Sequence, residues 1–346
     1  LYRAAKKEID WKTIPGLMSS EDKDFIPQWN FGVRNLDDLN PPDWEAIRFS
    51  GYWDLRYSHA PAPEPFMAVM TSRGCPFDCA FCSVPALSKR RWKSHSPKYT
   101  VNEMVSKQKM YGINDFQWED LNPTTSNSRM DKIADLILKN KNKLNWRTAS
   151  GTKIETMKEK TLNKIIDSGC KYLSFSPESG SPEHLRLRMT KPFNHDYAAK
   201  LSKIIVKRKV PVQACFVHGY PGETKEDRSL TKKYIKRLSK IGVDEILVMI
   251  ANPYPGSKMA IQHPETIENR KPHELTQASR NKKNSQKLIM ERNYYYFIFF
   301  LQKIIYHPFY FPKFFWFTFT RNFQTKAHQV FYRIIWWNLI KFYSIL

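Results

Sequence analysis

The sequence predicts an α/β fold: parallel strands alternating with helices, preceded by an extended linker and followed by a helical, aromatic extension. Three observations carry this expectation. Six short apolar runs are separated by amphipathic helical text at spacings of roughly 30 to 45 residues, the rhythm of right-handed βαβ units. The first 62 residues lack such rhythm and are punctuated by proline, as in Asn40-Pro41-Pro42-Asp43 and Pro61-Ala62-Pro63-Glu64-Pro65. Beyond Glu291 acidic residues cease and aromatic residues crowd.

With 346 residues the chain can hold one large α/β domain with smaller additions. Residues 1–62 read as a linker, and Leu1 in place of Met leads us to expect that a domain precedes it. Residues 63–258 carry the strand–helix alternation. Phe66–Met70 is the first strand candidate and runs into a cysteine-rich loop. Residues 99–111 read as a helix with Val101, Met104, Val105 and Gln108 on one side and Gly112 at its end. Ile113–Trp118, Leu144–Ala149, Tyr172–Ser176, Val210–Val217 and Val243–Ile250 are the next five strands. Arg129–Leu138, Met157–Ile166, Pro182–Leu187, Tyr197–Lys207 and Lys225–Ile241 supply the helices between them. Residues 259–291 read as a polar connector and 292–346 as an aromatic, basic extension. Open sheets and barrels share this alternation, and both gather reactive groups in the loops after their strands.

The loop after the first strand is Thr71-Ser72-Arg73-Gly74-Cys75-Pro76-Phe77-Asp78-Cys79-Ala80-Phe81-Cys82. Its Cys-x3-Cys-x2-Cys spacing can turn three thiolates toward one point. Three thiolates suit a [4Fe–4S] cluster whose fourth iron is open to another molecule. A zinc site completed by His95 or His59, or three unrelated thiols, are the alternatives that spacing leaves open. Cys170 and Cys215 lie in strand text and are expected to be core. There is no signal peptide, and the cysteine pattern is not a secreted disulfide framework, so a reducing cytoplasm is expected. Other loops on the same face carry Glu119-Asp120-Leu121-Asn122, Glu178-Ser179-Gly180-Ser181, Gly219-Tyr220-Pro221-Gly222-Glu223-Thr224 and Asn252-Pro253-Tyr254-Pro255-Gly256. Carboxylates there can hold an ammonium or a ribose diol, and Gly–Pro turns let the backbone approach a flat ring. Taken singly, each is equally a helix cap or an ordinary turn.

Cys75, Cys79 and Cys82 with Phe81, then Glu178–Ser181, then Gly219–Thr224, taken together, resemble the radical S-adenosylmethionine (SAM) superfamily over roughly residues 63–258. The resemblance implies a partial (β/α)6, TIM-like barrel whose cluster binds SAM and, once reduced, cleaves it to methionine and a 5′-deoxyadenosyl radical. It implies Cys75, Cys79 and Cys82 as cluster ligands, Phe81 beside the adenine, and Glu119 or Asp120 at the SAM ammonium. It further implies Glu178, with Ser179, at the ribose, and Gly219, Pro221 and Gly222 flanking the adenine. Arg188 and Lys191 are expected at the SAM carboxylate or at a substrate anion. The run Asn35–Trp44 and the Thr-Ser-Arg-Gly-Cys-Pro-Phe opening are similar to the cobalamin-binding-domain subgroup, which includes the anaerobic magnesium-protoporphyrin monomethyl ester cyclase and many methyltransferases. No Asp-x-His-x-x-Gly cobalamin signature is present, so cobalamin is expected only in a full-length parent.

The net charge is +23. Residues 1–291 hold 49 basic and 33 acidic side chains, and residues 292–346 hold seven basic and none acidic. Lys303, Pro308, Pro312 and Lys313 interrupt any apolar span, so the extension is expected either at a bilayer interface or packed on the barrel. An enzyme is expected that abstracts hydrogen from, or methylates, an unactivated carbon of a hydrophobic substrate, with a reductant such as flavodoxin or ferredoxin. It is expected in the cytoplasm, peripheral to the inner face of the membrane. A radical SAM modifier of tRNA or protein is the second enzyme reading, the charge being its footprint, though no RNA-binding module stands beside the barrel and nucleic acid is the less favoured partner. A zinc-binding interaction protein is the non-enzyme reading.

Overall fold

The computed structural model describes residues 2–14, 35–47, 49–54, 58–63, 65–140, 143–266 and 282–343. Two compact units divide the chain, Leu1–Pro42 and Asp43–Leu346. In the first, the described elements are a short helix, Tyr2–Ala5, and two 3-10 turns, Trp11–Thr13 and Leu36–Asp38. The division falls inside the expected linker. Residues 43–63 belong to the second unit, where the Trp53 indole donates to Phe66 O at 2.8 Å and Trp44, Phe49 and Trp53 pack on the core.

The second unit is built on eight strands. They are β1 (Phe66–Val69), β2 (Ser72–Gly74), β3 (Trp92–Ser94), β4 (Asp115–Trp118), β5 (Asn145–Thr148), β6 (Cys170–Glu178), β7 (Val212–His218) and β8 (Glu245–Ile250). Six form one parallel sheet in the order β1-β4-β5-β6-β7-β8. Within this sheet each strand lies beside the next of the six in chain order and β1 does not pair with β8, which is a partial (β/α)6 barrel. The sheet takes up all six expected strands. The cysteine loop differs from expectation in that β1 does not feed it directly. β2 intervenes and pairs antiparallel with β3, so the loop is the tip of a hairpin.

Local chemistry fixes the helices between the strands. Pro97–Tyr111 starts on Ser96, whose hydroxyl accepts from Tyr99 N, and stops at Gly112 with φ +68°. Asn127–Lys139 starts on Ser126, and Lys225–Ile241 on a capping box formed by Thr224 and Asp227. Phe116, Trp118 and Trp146 are fully buried within the main core, Trp118 and Trp146 stacking at 4.3 Å. Among the sheet residues that hold polar partners, Arg147 grips Asp115 through two bonds (2.7 and 2.8 Å), and the Tyr172 hydroxyl donates to Glu245 at 2.6 Å. Cys170 and Cys215 are buried in β6 and β7, as expected of core thiols.

The extension forms helices Lys282–Tyr306, Tyr310–Phe319 and Lys326–Tyr343. Its inner side is part of the barrel. Tyr295, Ile298 and Phe299 are buried, and the Tyr296 hydroxyl accepts Val248 N (3.0 Å) on the last strand. The backbone amides of Lys326 and Ala327 donate to the two carboxylate oxygens of Glu245 at 3.1 Å. Unpaired strand groups are costly to leave open, and the extension covers those of β8. Among the described residues no helix is long and apolar enough to cross a membrane.

Candidate functional site

The hairpin fixes where the thiols stand. Gly74 has φ +76°, and a Cβ there would lie 2.1 Å from Arg91 O, so only glycine admits this turn. From there the loop is anchored at several points. Ala80 N donates to Met189 O (2.9 Å), Ala80 O accepts Met259 N (2.8 Å), and the Asp78 carboxylate pairs with Lys258 (2.6 Å). All three cysteines are free and half-buried. Burial pushes the Cys79 thiol up to about 11, Lys191 pulling it down and Glu178 adding to the rise, and burial also raises Cys75 and Cys82. Thiols held this way are poor nucleophiles at neutral pH; bound iron would deprotonate them.

Glu178 closes β6 with φ +62°, a left-handed conformation that a non-glycine residue adopts at a cost. Its side chain is buried. One oxygen accepts from Lys191 Nζ at 2.6 Å, and the other is buried with no partner in the protein. Burial opposes the Lys191 charge, but Glu178 and Cys79 beside it raise its pKa above the ordinary lysine value. Lys191 also donates to Ser176 O (2.7 Å) and lies 5.8 Å from the centre of the Phe81 ring. The structure thus brings Cys79, Phe81, Glu178 and Lys191 together. The remainder of this loop is spent on the scaffold. Ser179 is fully buried, with its hydroxyl 3.1 Å from that of Thr231, and Gly180 N donates to the same hydroxyl at 2.9 Å.

Gly219 and Gly222 have φ +73° and +77°, and Gly219 N is held by Glu223 at 2.9 Å, so the Gly219–Pro221–Gly222 turn presents backbone where a side chain would intrude. Arg188 turns to that loop. Its side chain would meet a Cβ on Gly222 at 2.9 Å, and its guanidinium lies 3.8 Å from Asp227. Lys191 turns inward and Arg188 does not.

The two carboxylates after β4 diverge. Asp120 is buried and accepts Thr71 N, the Thr71 hydroxyl and the Ser72 hydroxyl, each at 2.6 Å. Burial raises its pKa while those bonds and Arg129 lower it. Arg129 completes the tether by donating to Thr71 O (2.8 Å) and His95 O (2.9 Å). Glu119 faces away, with Oε2 2.6 Å from His59 Nδ1, into an aromatic cleft of about 260 Å3 lined by Trp44, Trp53 and Gln117. Neither histidine considered for zinc completes a ligand set. The His95 ring stacks on Tyr99 at 4.1 Å, and among the described residues no three Cys, His, Asp or Glu side chains converge as around a single ion. A cubane holds its thiolates on different irons and so needs no such convergence.

Near the thiols stand Lys153, which sequence does not single out, and Asn122, which it marks only as part of the loop after the second expected strand. Asn122 is buried and bonds Cys75, and Lys153 lies 4.8 Å from the Phe77 ring centre and donates to Pro192 O at 3.0 Å. Lys153 lines an open groove of about 750 Å3 shared with Cys79, Lys191 and Phe193. Position after a strand was the only signal either carried.

A partial barrel with a three-thiol hairpin, a strained carboxylate and a glycine-rich turn after its strands gathers donors that suit a cluster and a nucleoside ligand. Residues 69–235 match the family model of the radical SAM superfamily, so the chain carries a radical SAM domain. The family's cofactors are a [4Fe–4S] cluster and SAM, and the donors present suit both: three half-buried thiols, and a buried carboxylate oxygen with no protein partner. The chain is 29% identical over 227 residues to an uncharacterized methyltransferase of Pyrococcus horikoshii, covering 66% of this chain and 47% of that one. It is 26% identical over 233 residues to the cytidylyl-2-hydroxyethylphosphonate methyltransferase of Streptomyces wedmorensis, covering 65% and 42%. The chain therefore spans about half the length of the curated relatives it matches. The radical SAM methyltransferase TsrM of Kitasatospora setae shares the fold, with a TM-score of 0.51, 17% identity, and coverage of 58% of this chain and 38% of that one.

Proposed function

We propose that this chain is the core of an enzyme that uses a [4Fe–4S] cluster and SAM to abstract hydrogen from, or methylate, an unactivated carbon. The observation that carries the proposal is Glu178: strained, buried, neutralised on one oxygen by Lys191 and unpartnered on the other, beside Cys79. Cys75, Cys79 and Cys82 would hold the cluster. When bound, the cluster supplies the electron that splits SAM into methionine and a 5′-deoxyadenosyl radical. Glu178 Oε2 is placed to accept a ribose hydroxyl, a charge-assisted bond that also satisfies the orphaned oxygen. Lys191 pairs with the Glu178 carboxylate at 2.6 Å and gives the thiolates a counter-charge. Phe81 offers a face, and the Gly219–Gly222 backbone an edge, to the adenine. Both Asp120 oxygens are taken, so we assign it to positioning the cysteine loop and leave the SAM ammonium to other groups.

The names of the two methyltransferase relatives favour methyl transfer as the outcome. We assign a hydrophobic substrate on the strength of the aromatic extension, and an external one-electron reductant such as flavodoxin or ferredoxin. The test is anaerobic reconstitution with iron and sulfide followed by electron paramagnetic resonance with and without SAM. A [4Fe–4S] signal that SAM alters is expected, with loss of 5′-deoxyadenosine release in Cys79→Ala. Failure to form the signal, or a spectrum indifferent to SAM, overturns the proposal.

A further inference from the structure

The outer side of the extension is as apolar as its inner side. More than half of the exposed large apolar side chains among the described residues lie within 289–336. They are most ordered on the Tyr310–Phe319 helix, where Phe309, Trp316 and Phe319 are 73, 68 and 63% exposed. Steps of seven and three residues put these rings on one stripe of a 3.6-residue helix, with exposed Lys313 between them and Arg321 just beyond. A surface helix ordinarily turns its polar side outward. Here Thr318 is the buried residue and the rings face solvent. Beside Phe309, Lys303 and Lys313 line a cleft of about 410 Å3, with Asp244 on its wall.

We propose that the Phe309–Lys313–Trp316–Phe319 stripe seats the protein on a membrane surface of anionic lipid. Rings mixed with cations match headgroup depth, where aromatic side chains are enriched and phosphates meet lysine. Residues 292–346 contain seven basic and no acidic side chains, so a matching surface must be uniformly anionic, as such a bilayer is. A second copy would set Lys313 and Arg321 against a face carrying the same cations, which like-charge repulsion disfavours. The helix has ten residues, about 15 Å, which suits lying in the interface and not spanning it.

The test is co-sedimentation of the whole 346-residue chain with vesicles of phosphatidylcholine containing phosphatidylglycerol, against phosphatidylcholine alone. Binding is expected to the anionic vesicles and to weaken with salt. Phe309→Ser, Trp316→Ser and Phe319→Ser together should lower affinity by about 100-fold without changing the melting temperature, since all three rings face solvent. Lys313→Gln should lower it by about fivefold. The proposal is overturned if anionic vesicles capture no protein, if the triple variant binds as the unmodified chain does, or if light scattering shows dimers that the triple variant lacks. The readout is lipid binding alone, so its failure leaves the cluster chemistry untouched.

Discussion

Asp120→Ala separates a carboxylate that positions the cysteine loop from one that holds SAM. In the folded protein Asp120 receives three hydrogen bonds of 2.6 Å, and Thr71 and Ser72, which donate them, are themselves buried. Hydrogen bonds to a charged group are worth about 1.5–3 kcal/mol each, and a buried donor left without a partner costs about 1–3 kcal/mol. The two hydroxyls can rotate toward other acceptors and the Thr71 amide cannot, so the loss is about 4 kcal/mol in place of the full sum. Against a total stability of about 5–15 kcal/mol this is a large share, equivalent to a fall of about 10 °C in melting temperature. The tether lies three residues ahead of Cys75, so iron retained per chain after reconstitution should fall as well. Asp120→Asn keeps the shape and one acceptor oxygen, and should cost about half as much. The assay is thermal melting of the apo protein with iron content after reconstitution. If Asp120→Ala melts like the unmodified chain, keeps its iron and loses only SAM affinity, the positioning role is refuted and Asp120 is a SAM ligand.

Glu178→Gln should weaken SAM binding by roughly 30-fold while iron content is unchanged, checked by calorimetric titration of the reconstituted protein. Gly180→Ala would place a Cβ 2.3 Å from Leu230 O and 2.6 Å from Thr231 Cα. These are backbone atoms that cannot step aside cheaply, so denaturant melts should show a loss of at least about 2 kcal/mol. Burial lowers the His328 pKa from 6.5 to about 4, and the ring accepts at Nδ1 from Thr325 N (3.0 Å). Between pH 6.5 and 4 the unfolded chain therefore binds the proton that the folded chain refuses, and stability falls as the pH falls. Unfolding at the two pH values should differ by up to about 3 kcal/mol more in the unmodified protein than in His328→Asn.

The strands were legible because a sheet buried on both faces needs near-continuous apolar runs, and Phe116-Gln117-Trp118 and Val212–Val217 supply them. The β2–β3 hairpin was not. Ser72-Arg73-Gly74 and Trp92-Lys93-Ser94 have no shared pattern, and what pairs them is the closure of the loop by Asp120 and Arg129 from other elements. The extension was legible in its chemistry and illegible in its orientation. Composition predicts an aromatic, cationic helical tail, but Tyr295 and Phe299 in the core and Phe297 and Trp316 in solvent are the same residue types, sorted only by docking against β8. Compactness divides the chain at Pro42, and beyond it Trp44, Phe49 and Trp53 pack on the barrel core.

Among the acids buried in or beside the sheet, one is open to a ligand where an oxygen has no partner in the protein. A buried carboxylate is costly unless both oxygens are satisfied. Asp115 meets that demand with Arg147, which takes both oxygens. Asp120 meets it with Thr71 and Ser72, and Glu245 with Tyr172, Gln213 and the amides of Lys326 and Ala327. Glu178 alone of these four keeps a buried oxygen without a partner, and it does so in a strained backbone conformation beside Cys79. A chain selected only for stability would relax that φ or fill the gap with a hydroxyl, as Thr71 and Ser72 do for Asp120. A group that donates to Glu178 Oε2 from outside the protein removes the penalty, and the Glu178→Gln titration measures how much of the SAM affinity comes from that bond.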